Sequence, residues 1–193
     1  MKPAVPAERI RFTMAASSLG KLLLAASERG VCALALGDDE AQLLAGLRQD
    51  FPAAQLQHAD AQASGQAGEQ TGDVLAPMLA ALVVGIDARA GSRQCPPLSL
   101  ALPLDLRGSP FQLRVWQALQ QIPRGSTTSY GELARRIGAP RAARAVGGAC
   151  AANRIALLVP CHRAVRADSA LASYRWGIER KHELLRRERD SAA

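Results

Sequence analysis

Residues 130–153 read YGELARRIGAPRAARAVGGACAAN. Two short helical stretches lie either side of Gly138-Ala139-Pro140. Ser129 can cap the first, YGELARRIG, and the second, RAARAVGGACAAN, begins almost immediately after the proline. Two helices joined by so tight a turn suggest a helix-turn-helix. The second helix is unusual for one that reads bases, because base edges are read by Arg, Asn, Gln or Glu. It offers Ala145, Val146, Gly147, Gly148, Ala149 and Ala151 instead. Small residues let a helix backbone come close to a surface, and for Gly147 and Gly148 that surface is either a neighbouring helix or a DNA groove. Arg141 and Arg144, at the start of this helix, favour phosphates or the base stack.

Upstream, SPFQLRVWQALQQI (109–122) has Ser109 as an N-cap and Pro110 at the first helical position. Phe111, Val115, Ala118, Leu119 and Ile122 form one stripe, and Trp116 is read as core. PRGSTTSY (123–130) is a loop. Downstream, LLVPCHRAV (157–165) sets Cys161 beside His162. The four cysteines Cys32, Cys95, Cys150 and Cys161 are spread along the chain with no CxxC pair, so no disulfide framework is expected. No metal site is expected either, since an adjacent Cys and His are poorly spaced to close a tetrahedron. Cys161 is then a nucleophile or a filler of core space. Taken one at a time, Cys161, His162 and Tyr130 each read as packing.

Charge supports the division of the chain. Up to Arg107 there are nine basic and eleven acidic residues, a balance of −2; from Gly108 there are fifteen and six, a balance of +9, which together make the chain's +7. A basic surplus confined to one segment fits a polyanion, nucleic acid first, or a solvated face with no partner. The N-terminal portion carries three apolar stretches, RIRFTMAA, GKLLLAAS and GVCALALG, which predict an antiparallel meander. DDEAQLLAGLRQDF predicts a helix opened by Asp38 and Asp39, with Leu43, Leu44 and Leu47 on one face. Residues 59–72 predict a mobile loop, VLAPMLAALVVG a short helix, and LSLALPLDL (98–106) a further strand. No run is long enough for a membrane span, and MKPAVPAERIRF lacks the apolar core of a secretory signal, so the expectation is a cytoplasmic, soluble protein.

The stretches RAVGGACAAN (144–153), VPCHRAV (159–165) and YRWGIERKHELLRRE (174–188) closely resemble the C-terminal domain of the O6-alkylguanine-DNA alkyltransferases, and the meander resembles the repair half of bacterial Ada. The resemblance runs from about Arg9 to Glu188. It implies an α/β, RNase-H-like N-terminal domain over 1–107 and a mainly helical domain with the helix-turn-helix over 108–193. It also implies single-turnover transfer of an alkyl group, mainly methyl, from guanine O6 to Cys161. His162 would take the thiol proton through a water and be held by Glu188. Asn153 would brace the turn, Arg163 would be structural, and Tyr130 and Lys181 would help the departing guanine. Arg144 would fill the stack vacated by the flipped base, with Arg141, Tyr130, Ala145, Gly147, Gly148 and Ala151 on the DNA-binding surface. Ser173, Tyr174, Trp176, Val165 and Cys150 would line the substrate pocket. The partner implied is double-stranded DNA carrying O6-alkylguanine, bound by a monomer without a cofactor. No stretch matches the zinc-bearing phosphotriester domain of full-length Ada, so a transcriptional role is not expected. LASYRWG departs from the family in having Ala172 and Ser173 where a Ser and a Gly are common. Two other readings are an alkyltransferase-like protein, which would lack the active cysteine, and a helix-turn-helix regulator without transfer activity.

Overall fold

The computed structural model describes residues 7–59, 72–87, 103–168 and 173–192. The three apolar stretches form the meander they predict: β1 (Arg9–Ser17), β2 (Gly20–Ser27) and β3 (Gly30–Gly37), antiparallel in sequence. Next comes α1 (Glu40–Asp50), capped by Asp39, whose side chain accepts from the Gln42 amide. The chain then returns as β4 (Gln55–His58), parallel to β1, so the sheet runs β3-β2-β1-β4. That fourth strand went unpredicted, since QLQH has no alternating apolar signal.

Strand β2 is buried on both faces, and its period of two divides the N-terminal core. Leu23 and Ala25 join Ile10, Phe12, Leu43, Leu47 and Phe51 beneath α1. Leu22, Leu24 and Ala26 face the opposite way and merge into a larger core with the C-terminal residues Val115, Leu119, Val146 and Val159. Between them lies α2 (Gly72–Asp87), longer than its predicted span and retaining Pro77 inside it, with Leu75, Leu79 and Leu82 buried. The predicted strand at 98–106 and the loop at 59–72 lie largely outside the described residues; Leu104 makes a single bridge to Val31.

The outer edge of β3 is closed by two separate segments. The Val31 amide donates to Pro103 O (2.8 Å) and the Asp105 amide to Val31 O (2.8 Å). Farther along, the Leu34 amide donates to Arg154 O (2.9 Å) and the Ala156 amide to Leu34 O (2.8 Å). Pairing removes the exposed edge and anchors residues 154–156, which lead directly to Cys161, on the N-terminal sheet.

The C-terminal portion is built from α3 (Pro110–Gln120), α4 (Tyr130–Arg136), α5 (Ala143–Ala151) and α6 (Ile178–Ala192). Ser109 and Gln112 form a reciprocal capping box on α3. Ser129 caps α4 through the Glu132 amide. The loop predicted at 123–130 contains a short strand, β5 (Thr128–Ser129), parallel to β6 (Ala164–Val165). Helix α5 starts two residues later than predicted, which leaves Arg141 in the turn. None of the described helices is long and apolar enough to cross a membrane.

Gly30 and Gly138 both have positive φ, +133° and +72°, but a Cβ on Gly30 would come within 2.1 Å of Pro103 O, while one on Gly138 meets nothing within 4 Å. Gly138→Ala is expected to cost about 1 kcal/mol of backbone strain, and Gly30→Ala at least twice that, because the β3 edge must also open. Urea unfolding of the two variants measures the difference; equal losses would show that the Pro103 contact carries no stability.

Candidate active site

Cys161 begins a single 3-10 turn, Cys161–Arg163, and is 3 % exposed. The chain reaches it through a tightly wound segment. Leu157 adopts φ +65°, and the Leu158 amide closes back on Ala156 O at 2.6 Å. The Cys161 amide donates to Val159 O at 2.8 Å. A β-branch-free but bulky leucine in the left-handed region is costly, and this one is held by neighbours on every side.

The chief holder is Asn153, 1 % exposed at the end of α5. Its Oδ1 accepts from the Ile155 amide (2.9 Å). Its Nδ2 donates to Val159 O (2.9 Å) and reaches Ile155 O (3.3 Å) and Cys161 Sγ (3.2 Å). One amide thus joins the small-residue helix to the cysteine. On the far side of the turn, the Lys181 Nζ donates to Ala164 O (2.7 Å) from a fully buried position.

His162 is 1 % exposed and its Nε2 lies 2.9 Å from Glu188 Oε1. Arg163, placed by its bond to Ile122 O (2.7 Å), donates to both Glu188 oxygens at 2.8 and 2.9 Å. The Gly125 amide adds a longer contact of 3.3 Å. Arg163 is therefore the element the sequence reading left vague: it grips the carboxylate that grips the histidine. The adjacent Arg in Pro-Cys-His-Arg was its only signal.

Electrostatics follow from burial. Burial pushes the Cys161 thiol above its usual range, against the Asn153 hydrogen bond and the Lys181 charge. Burial likewise holds His162 and Lys181 below theirs. Glu188 goes the other way: burial would raise it, yet its hydrogen bonds with His162 and Arg163 bring it down to about 2. At neutral pH the site contains a thiol, a neutral imidazole and a carboxylate. Tyr130, raised to about 12 by burial and by the two nearby thiols, keeps its proton. Cys150, also raised to about 12 through burial, lies near enough to Cys161, Tyr130 and Lys181 to interact with their charges. Cys32 is core, as expected; Cys95 lies outside the described residues.

The face of α5 away from the core carries Arg144, Ala145, Gly148 and Ala151, all exposed, with Gly147 partly so; Val146, Ala149 and Cys150 point inward. A Cβ built on Gly147 or Gly148 meets nothing within 4 Å. No neighbouring helix needs these glycines, which removes the packing alternative and leaves an open, smooth surface. Trp116, buried as expected, fixes α5 by donating Nε1–H to Ala149 O at 2.9 Å.

Tyr174 stands edge-on to His162 (centroids 6.4 Å apart) and to Trp176 (5.1 Å). Val165 is buried in β6, and Ser173 is exposed ahead of Tyr174. Trp176 is buried and lines a groove with β3, α1, Arg154 and Arg175 rather than Cys161, and it meets the site only through its edge contact with Tyr174. Ala172 lies outside the described residues. Among the described residues no group of three or more His, Cys, Asp or Glu is placed to hold a metal.

Two family models match the chain: 6-O-methylguanine DNA methyltransferase, ribonuclease-like domain, over residues 10–83, and the DNA binding domain of the same family over 110–190. The Escherichia coli bifunctional transcriptional activator/DNA repair enzyme Ada is 47 % identical over 182 residues, covering 94 % of this chain and 46 % of that protein. The chain spans about half the length of the curated relatives it matches. Among solved structures, the O6-methylguanine methyltransferase of Mycobacterium tuberculosis superposes with a TM-score of 0.67 at 33 % identity, covering 95 % of each chain. The OGT of the same species in complex with DNA gives 0.66 at 33 % identity, over 95 % of this chain and 94 % of that one. The N-terminal sheet is thus of the ribonuclease-like kind expected, the Cys161 turn and α5 fall inside the DNA-binding match, and the chain belongs to the 6-O-methylguanine DNA methyltransferase family.

Proposed function

We propose that this protein repairs DNA directly, acting as a monomer in the cytoplasm and moving an alkyl group, mainly methyl, from guanine O6 to its own Cys161. The observation that carries the reading is the Asn153 side chain. It ties Cys161 Sγ to the end of a helix whose exposed face, past Arg144, carries only alanine and glycine. The same reading divides the chain at Arg107/Gly108 into a supporting and a DNA-binding domain.

Helix α5 enters a groove by shape, with Arg141 and Arg144 on phosphates or the stack. The target base leaves the duplex, and Arg144 takes its place. As the thiol proton moves toward His162, sulfur attacks the sp³ carbon; the S–C bond forms and the C–O6 bond breaks, its electron pair departing on the guanine. Glu188, ionised and clamped by Arg163, stabilises the imidazolium. Tyr130 still holds its proton and donates a hydrogen bond to the purine as charge builds there, with Lys181 adding its field. The thioether product has no leaving group, so each molecule acts once, and the chemistry calls for no cofactor.

Cys161→Ala is expected to abolish methyl transfer while leaving duplex affinity within about twofold, since phosphate contacts supply the binding; anisotropy and label transfer measure the pair, and surviving transfer would refute the mechanism. Arg144→Ala should slow repair in duplex by at least about tenfold, a modest fraction of the unstacking cost, and leave transfer from free O6-methylguanine unchanged. Equal losses on both substrates would assign Arg144 a different task. Ser173 at the rim and Trp176 behind Tyr174 narrow the chamber, so single-turnover rates should be high for O6-methylguanine and low for O6-benzylguanine. Ser173→Gly or Trp176→Gly should narrow that gap; a wild-type benzyl rate at or above the methyl rate would show an open pocket.

A further inference from the structure

Helix α1 ends in a carboxylate that joins the two halves of the chain. Asp50, the last residue of α1, divides its oxygens between two arginines of the C-terminal half: Oδ1 lies 3.3 Å from Nε of Arg154, and Oδ2 accepts from Nη2 of Arg175 at 2.7 Å. Its side chain is 18 % exposed and those of the arginines 34 %. Phe51 adds a second hold on Arg154, whose guanidinium stands 5.3 Å from the ring centroid. Both arginines are chain neighbours of site residues. Arg154 follows Asn153, whose side chain reaches Cys161 Sγ, and Arg175 follows Tyr174, whose ring stands edge-on to that of His162. Nη1 of Arg175 also approaches Asn153 O at 3.5 Å. A groove of about 210 Å³ is bounded here by α1 and β3 together with Arg154, Arg175 and Trp176, so packing is incomplete where the segments meet. The 154–156 segment has β3 as a further support, and the 174–176 segment has Arg180, which donates to Trp176 O at 2.8 Å. Asp50 touches both segments.

We propose that Asp50 is a positioning residue for alkyl transfer, holding the segment that bears Asn153 and the segment that bears Tyr174 at a fixed separation through Arg154 and Arg175. The inference rests on the alkyl-transfer reading above. The carboxylate touches neither the sulfur nor the aromatic rings and acts only through the two arginines. A carboxylate accepting from two guanidinium groups at once fixes both in one geometry, and at this partial exposure that geometric constraint matters more than the Coulomb energy of either pair. Transfer to sulfur needs the alkyl carbon held in a near-attack position, and rates of this kind respond to displacements too small to disturb the fold. Neutralising Asp50 leaves two like charges side by side without the anion between them. The segments that carry them then move apart, and the cysteine turn and Tyr174 lose their common reference.

The test separates the geometry of the site from the amount of folded protein. With saturating O6-methylguanine duplex in a single turnover, the amplitude counts competent molecules and the rate constant reports the arrangement around the sulfur. Asp50→Asn, close in size, is expected to lower the rate constant about tenfold, short of the roughly hundredfold that a 1 Å misplacement can reach. Amplitude, and duplex affinity by anisotropy, should stay within about twofold of wild type, since the phosphate contacts are untouched. Asp50→Glu keeps the charge and should recover most of the rate. Arg175→Gln breaks the same contact from its other side and should also slow transfer; adding Asp50→Asn to it should cost no more than about threefold further, because the shared contact is already gone. Glu40→Gln breaks the ion pair with Lys21 (2.5 Å) at the opposite end of α1 and should leave the rate constant as it is. An unchanged rate constant in Asp50→Asn, a loss of amplitude or affinity alone, independent losses in the double variant, or equal slowing by Glu40→Gln would each overturn the proposal. A wild-type protein that moves no methyl to Cys161 brings down the underlying reading and this inference with it, whereas wild-type transfer matched by Asp50→Asn brings down this inference only.

Discussion

The side chain of Asn153 is the point on which the rest of the site depends. A carboxamide has two donor hydrogens and an acceptor oxygen, and this one spends them all within eight residues of itself, on Ile155, Val159 and Cys161. Each bond is buried, so none competes with water, and the loss of any partner would strand a polar group in the core. The left-handed Leu157 and the close returns at 158 and 161 persist because Asn153 on one side and the β3 edge on the other leave the segment no alternative path. Strain of this kind survives only where surrounding structure overdetermines it.

The N-terminal half therefore positions the cysteine turn. Leu34 on β3 exchanges two backbone hydrogen bonds with residues 154 and 156, which sets the height of the cysteine turn above the sheet. The C-terminal half supplies a second clamp, through Lys181 on Ala164 and Arg163 on Glu188. The thiol is held from both sides, at the foot of α5, whose outer face is open. The end of α5 and the sulfur are joined by a single side chain, that of Asn153.

Much of this was legible in the sequence. Alternation and turn residues placed β1, β2 and β3 to the residue or within one, because an apolar strand between glycine turns has few other readings. Ser109 and Ser129 announced their helices, and the caps are made as expected. The Cys161, His162, Glu188 and Asn153 constellation came from resemblance to a family; taken singly each residue read as core. Strand β4 and the β5–β6 pair were not legible, since QLQH and TS carry no periodic apolar signal and owe their state to tertiary partners. Nor was it legible whether the glycines of α5 pack against a neighbouring helix, since that depends on what lies across from them; open space within 4 Å of both positions shows that they do not.

The account stands on where an alkyl group ends up and how many times. Intact mass, followed by peptide mapping, of the wild-type protein after incubation with an excess of O6-methylguanine duplex measures both. The account predicts one methyl per chain, on Cys161, with guanine restored in an equal amount and no further repair afterwards. An unmodified chain, a methyl on Cys150, or repair that continues past one equivalent would contradict it.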